Sequence, residues 1–277
     1  MAAEPGQIDL HVHLASASGL ADAAAAGITA LRDAGTRNGA GLALRTSRSP
    51  LVLSAGWALH PEGGYGGRFG VAVRSRDDVH AEILKLKQAG AGIIKVMASG
   101  MVSLSQRGVI TPGGFDRVML EVVVAGADAI GLKVMAHANG AEAIRAACEA
   151  GVVSIEHGFY MTDAELDCMK RKNILWVPTV GALTRAAEMP NAPAGAKKIA
   201  AGVIEAHLVM VGKAFQRDVR LGIGTDCTLP DPRYREAYEE ELDWFRKAGI
   251  PEDEVMRIAN EAGKELLRPV WPRMNAN

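Results

Sequence analysis

The chain is short of the features that mark several specialised classes of protein. Its 277 residues include three cysteines, Cys148, Cys168 and Cys227, widely spaced and without a C-x-x-C pattern, so a disulfide framework is not expected. Neither sign of charge is in excess: 31 Lys and Arg stand against 32 Asp and Glu, a formal net charge of -1. Such a balance supplies none of the concentrated positive potential that nucleic acid or anionic lipid attracts. A small, weakly charged substrate is the simpler expectation, with no nucleic-acid partner and no membrane. The first residues carry neither the basic segment nor the apolar stretch of a secretory signal. No apolar run approaches the roughly 20 residues that cross a bilayer. A cytoplasmic location follows as the expectation.

What the chain does contain suits one large globular core. It is 48% hydrophobic and 23% charged with 31 glycines, and its length matches a single α/β barrel domain spanning residues 1–277. Short apolar or β-branched runs alternate with longer helical patterns, the signature of repeated βα units. Strands are predicted at 7–12, 28–32, 51–55, 92–97, 132–136, 152–156, 174–179 and 221–225. Helices are predicted at 21–26, 77–89, 115–129, 141–150, 163–171, 194–215 and 233–247, with a final one opening at Pro251 and running through Leu266. Thr162 and Glu165 form a capping box, and Gly151 suits a helix C-cap. Eight strands alternating with helices predict a (β/α)8 TIM barrel.

Polar residues of one kind gather at the C-terminal ends of these strands. His11-Val12-His13 ends the first, and a period of two sends both imidazoles to one side, where they could share a cation. Lys95 lies within Ile93-Ile94-Lys95-Val96-Met97, where a charge is costly unless paired, modified or metal-bound. His137, His157 and Asp226 each end a further strand. A barrel brings strand ends around one mouth, and four imidazoles with a carboxylate suit divalent zinc-like ions. His60, His80 and His207 fall in a loop and two helices and are read as structural or surface residues. Gly222-Ile223-Gly224 lacks the G-x-G-x-x-G of a dinucleotide site.

Across nearly its whole length the chain resembles the amidohydrolase superfamily. The resemblance rests on Ile8-Asp9-Leu10-His11-Val12-His13, Leu31-Arg32-Asp33-Ala34-Gly35, Ile94-Lys95-Val96-Met97, Met135-Ala136-His137-Ala138-Asn139, Ser154-Ile155-Glu156-His157-Gly158 and Gly224-Thr225-Asp226. It is similar in particular to the imidazolonepropionase-related branch, with its Xaa-Pro dipeptidase-like enzymes. The resemblance implies two divalent ions, zinc by expectation, with His11, His13 and Asp226 on the more buried one and His137 and His157 on the other. It further implies a Lys95 carboxylated by CO2 that bridges both. Hydrolysis of an amide in a small N-acyl amino acid or dipeptide-like substrate by a metal-bound hydroxide would follow, with Asp226 as the catalytic proton carrier. His157 would be a ligand and not a free base.

Two departures from the family pattern bear on substrate, and a third is architectural. Asn139 and Tyr65 stand where relatives commonly carry histidine, and both are expected in the substrate shell. The small β-sandwich built from flanking segments in this branch has no evident counterpart here, so an accessory domain is not expected. The barrel edge this would expose makes a homo-oligomer an expectation to test. The glycine-dense stretch 57–69 reads as a mobile or tightly turned rim, or an ordinary surface loop. Arg107, in the segment 100–116, could pair with a substrate carboxylate, and Tyr160 is a further rim candidate. A lactone or organophosphate ester hydrolase, or a metal-binding assembly protein without turnover, are the alternatives.

Overall fold

The computed structural model describes residues 6–267, and the remaining ends of the expected domain lie outside the described residues. The strands are β1 (Gln7–Leu14), β2 (Ile28–Asp33), β3 (Leu51–Ser54), β4 (Ala58–Pro61), β5 (Gly70–Val73), β6 (Ile94–Met97), β7 (Val134–Ala138), β8 (Ser154–His157), β9 (Leu175–Val177) and β10 (Cys227–Leu229). The helices are α1 (Ser18–Ala25), α2 (Ala40–Leu44), α3 (Arg76–Ala89), α4 (Arg117–Asp128), α5 (Ala141–Ala150), α6 (Asp163–Lys172), α7 (Val180–Glu188), α8 (Ala196–Gln216), α9 (Tyr234–Lys247), α10 (Glu252–Glu261) and α11 (Lys264–Leu267). The strands form two parallel sheets, ordered β10-β1-β2-β3 and β5-β4-β6-β7-β8-β9. Further backbone bonds join them: Gly222 N–H to Trp176 O at 2.9 Å, Leu10 N–H to Ile223 O at 2.8 Å and Gly92 N–H to Ser54 O at 2.9 Å. This is an α/β fold consistent with the expected barrel core.

Apolar residues divide between the two sides of the strands. Val52, Val96, Val134, Ala136, Ile155 and Trp176 pack outward against helices. The alternate positions Ala30, Leu51, Leu53, Met135, Leu175 and Val177 meet inside. The same alternation turns Lys95, His137 and Glu156 inward. Strand β1 departs from it: Ile8 and Leu10 join the inner cluster, but Val12 and Leu14 join the outer one. A register irregularity between Asp9 and Val12, where β1 pairs with β2, accounts for the switch. It leaves His11 and His13 facing inward above an apolar floor, a common use of a bulge beside a site.

Helix ends follow local chemistry. The capping box of α6 is formed by Thr162 and Glu165, and a second one, Ser75 with Asp78, opens α3. Gly151 takes the left-handed C-cap of α5 at φ 93°. Val79, Ile83 and Leu86 form the buried face of α3.

Several boundaries differ from expectation. The strand expected at 221–225 is reduced to a bridge at Leu221 with single backbone bonds to β1, and the regular ladder with β1 is formed instead by β10. Gly222 and Gly224, whose side a Cβ would fill against Leu10 and His11, hold this stretch close without a regular ladder. Residues 57–69 are no simple rim: β4 runs through them, pairs with β6, and carries a buried His60. The last helix breaks at Gly263, φ 74°, into α10 and α11. Helices α2 and α7 were not expected. By length and composition α8, with 21 residues, is apolar enough to cross a bilayer, yet Ala200, Val203, Ile204, His207 and Val211 on it are buried within the protein.

Candidate metal centre

Each of the six residues expected at the strand ends arrives at the same place. His13 Nε2 lies 3.1 Å and His11 Nε2 3.5 Å from Asp226 Oδ1, and Lys95 Nζ lies 3.5 Å from His11 Nε2. The His157 ring is 5.1 Å from that of His11 and 4.5 Å from that of His137. Two of them depend on unusual backbone. Glu156 already occupies the inward position of β8, so its neighbour His157 reaches the centre only by adopting φ 69°. Trp176 Nε1 holds that turn by donating to His157 O at 2.8 Å. Asp226 has φ 57° and donates its N–H to His11 O at 2.7 Å. Left-handed conformations at residues other than glycine carry strain, of the order of 1–3 kcal/mol each, that the surroundings must outweigh.

Every imidazole has one nitrogen tied away from the centre. His11 Nδ1 lies 2.6 Å from Glu156 Oε2, and His13 Nδ1 lies 2.5 Å from Gly35 O. His137 Nε2 lies 2.9 Å from Gly100 O, and His157 Nδ1 lies 2.6 Å from Thr179 Oγ1. A carbonyl can only accept, as can an ionised carboxylate, so three of these contacts require the outer nitrogen to carry the proton. The inner nitrogen is then a free lone pair, the form that binds a cation. Burial, then the Lys95 ammonium, lowers His11 to about 4 and His137 to about 3. Burial likewise holds His157 well below its ordinary value. All three are neutral at pH 7. Ligand atoms of His11, His13 and Asp226 lie within 4.8 Å of one another, a spacing that one ion could bridge. The donor set therefore fits a divalent metal. Among the described residues this is the one such triad, and no second cluster of this kind accompanies it.

The groups behind the ligands were not foreseen. Glu156 is fully buried and accepts from Arg32 Nη2 at 2.8 and 2.9 Å and from Ser154 Oγ at 2.6 Å. Burial pushes its carboxyl up, but Arg32 and then His11 outweigh that and hold it at about 2. Asp9 anchors the segment before Asp226, accepting from Thr225 Oγ1 at 2.7 Å, Thr225 N at 3.1 Å and Tyr234 Oη at 2.9 Å. Burial raises Asp9 to about 6. A charged arginine and an acid inside apolar strands were the available signal, since such groups need each other there. Lys95, also buried, is lowered to about 8 by desolvation.

The four expected substrate contacts fare differently. Tyr65 and Asn139 line the cavity beside His137, His157 and Asp226, the Tyr65 ring 4.9 Å from that of His137. Burial and then Asp226 push the Tyr65 phenol up, so it stays a donor. Asn139 is partly spent on structure, its Oδ1 accepting from Phe159 N at 3.1 Å. Arg107 and Tyr160 do not line this cavity: Arg107 is exposed and lies against Gly202 of α8, and Tyr160 Oη accepts from Gly108 N at 3.0 Å. The segment that carries Arg107 turns back onto α8, which draws the guanidinium away from the metal ligands. His80 is exposed, as expected, whereas His207 is buried in α8 and stacked on Phe159 at 4.2 Å.

Comparison with known proteins finds a family and similar folds. The model of the amidohydrolase family matches residues 2–267. Ochratoxinase of Aspergillus niger is 31% identical over 186 residues, which cover 65% of this chain and 38% of that protein. The alignment thus spans well under half the length of that relative. Among solved structures, an Xaa-Pro dipeptidase with methionine in its active site superposes with a TM-score of 0.80 at 24% identity, covering 95% of this chain and 75% of the other. A prolidase complexed with N-methylphosphonate-L-proline superposes with a TM-score of 0.77 at 25% identity, covering 96% and 74%.

Proposed function

The chain belongs to the amidohydrolase family, and from that premise we propose that it hydrolyses the amide bond of a small N-acyl amino acid or dipeptide-like substrate at a pair of divalent cations. The observation that carries this reading is the tethering of one nitrogen on each of four clustered imidazoles, with the other nitrogens of His11 and His13 lying 3.5 and 3.1 Å from Asp226 Oδ1. The two sheets, joined through Gly222 and Gly92, are read as one closed (β/α)8 barrel with this centre at its mouth. His11, His13 and Asp226 would hold one ion, and His137 and His157 the other. The ions, zinc in this reading, would supply Lewis-acid polarisation of the carbonyl and a water of lowered pKa.

The chain's own residues do the rest. Lys95, lowered to about 8 by burial, has an appreciable neutral fraction at pH 7 to 8. Only the neutral amine adds CO2, losing one N–H proton as the N–C bond forms, and the resulting carbamate would be an anionic bridging ligand. Asp226, held well below its ordinary value by His11, His13 and His157 despite burial, is ionised and can accept a proton and pass it to the leaving amine. Tyr65, a protonated phenol on the cavity wall, can donate to the carbonyl oxygen as negative charge develops there.

Two variants and a substrate panel test the reading. Lys95→Ala should lose at least one metal per chain and regain some turnover with small carboxylic acids. Asp226→Asn should keep more metal than Lys95→Ala while losing most turnover. Metal content and kcat are measured together on N-acyl amino acids, dipeptides, lactones and phosphotriesters. Full metal retention in Lys95→Ala would refute the bridge, and turnover confined to lactones or phosphotriesters would refute the amide assignment.

A further inference from the structure

The cavity beside the metal ligands has two unlike ends. His137, His157, Asp226, Asn139 and Tyr65 form one; Met101, Val102, Leu104, Phe159, Leu183 and Ala186 contribute to the other. Its volume is about 100 Å³. A dry cavity of about 150 Å³ takes up benzene, so the apolar end of this smaller one, whose volume is shared with the polar end, takes nothing larger than a small branched aliphatic group. The apolar end is not an offshoot of the sheet core. Val102, Phe159 and Leu183 belong to a separate cluster that α7 and α8 build over the site together with the segment after β6. No lysine or arginine lines the cavity among the described residues. Arg185, on the same helix as Leu183, turns away to Thr225 O and toward Glu240. A substrate charge placed at the apolar end would be desolvated without a partner, which disfavours its binding there.

We propose that this end of the cavity is the specificity pocket, and that it selects an uncharged branched aliphatic group attached to one side of the scissile amide. The proposal rests on the hydrolase reading of the adjacent centre. Leu183 and Ala186 set the pocket's size, and Val102 and Phe159 its apolar character.

The test uses the metal-loaded protein and two series of small amides, one varied on the acyl side and one on the amine side, with hydrogen, methyl, isobutyl, carboxymethyl and aminobutyl substituents. Burial of each added carbon is worth about 4-fold, so kcat/KM should rise on the order of 50-fold from methyl to isobutyl in one series. The acidic and basic members should fall below methyl. Ala186→Leu, which fills the pocket, should return the preference to methyl, and Leu183→Ala should move the optimum to a larger group. A flat series, or a preference for the charged members, would overturn the pocket assignment while leaving the hydrolase reading intact. Binding of isovaleramide and acetamide, and of N-isobutylacetamide and N-methylacetamide, followed by ligand-observed NMR, separates the two in the other direction. Tighter binding of isovaleramide over acetamide, or of N-isobutylacetamide over N-methylacetamide, that is lost in Ala186→Leu supports the pocket even if no amide is cleaved, and equal binding within both pairs refutes it. Should Ala186→Leu not fold, Leu183→Ala supplies the same comparison through its weaker hold on the branched amide.

Discussion

The buried pair behind His11 offers the sharpest test of how the centre is supported. Arg32 and Glu156 are both 0% exposed, so substituting either leaves the other's charge in a low-dielectric interior without its counter-ion. Glu156→Gln and Arg32→Met should each cost about 3–5 kcal/mol. The titration of Glu156 agrees in size: lowering from 4.5 to about 2 corresponds to about 3 kcal/mol. Because the folded value lies below the unfolded one, that contribution is complete above pH 4.5 and is lost as pH falls through about 2. Burial also lowers the Arg32 guanidinium despite Glu156, so mutual attraction offsets desolvation only in part. The double variant should therefore be no less stable than either single one, a coupling of about 3 kcal/mol in the cycle. Urea unfolding of the metal-free proteins measures it. Metal affinity should follow a different pattern, falling about 10- to 100-fold wherever Glu156 is absent, because His11 Nδ1 then loses its anionic acceptor. Additive single effects, or Glu156→Gln costing under about 1 kcal/mol, would refute the reasoning.

Other outcomes follow from the same geometry. Glu241 accepts from Val180 N at 2.8 Å and Gly181 N at 2.9 Å, and burial raises it to about 8. Its folded value lies above the unfolded 4.5, so stability should fall as pH rises from 4.5 through about 8, by up to about 5 kcal/mol. Glu241→Gln should gain on the parent over that window in pH-dependent denaturant unfolding, and a constant difference between them would contradict the shift. Gly100→Ala would press its Cβ on the Thr111 carbonyl and displace the oxygen that holds His137. A stability loss of about 1–3 kcal/mol with weakened binding of one metal, read by thermal melting and metal titration, is expected. Chelation of the loaded protein should remove about 2.7 kcal/mol where free metal had stood at a hundred times its Kd. This would appear as a fall of about 5–10 °C in Tm, and an unchanged Tm would argue against a bound ion in the folded centre.

Much of the centre was legible because its residue types are improbable where they occur. Lys95 within Ile93-Ile94-Lys95-Val96-Met97, and histidines closing apolar runs, stand out against a pattern that otherwise excludes charge. Period-two alternation correctly paired His11 with His13. It could not show that β1 changes faces between Asp9 and Val12, since an irregularity in pairing depends on the neighbouring strand. The strand expected at 221–225 failed for a related reason: its apolar pattern is that of a strand, but its glycines let it lie against Trp176 and Leu10 with little regular ladder.

The sequence by itself determined the α/β class, the caps at Thr162 and Gly151 and the identity of the six residues at the strand ends, because each depends on local pattern or on the intrinsic cost of burying a charge. Only the tertiary structure decided which nitrogen of each histidine faces the centre. It alone paired Arg32 with Glu156, separated by 124 positions, and turned Arg107 out onto α8. These are contacts between distant segments, and local pattern carries no information about which distant group will satisfy a buried donor or acceptor.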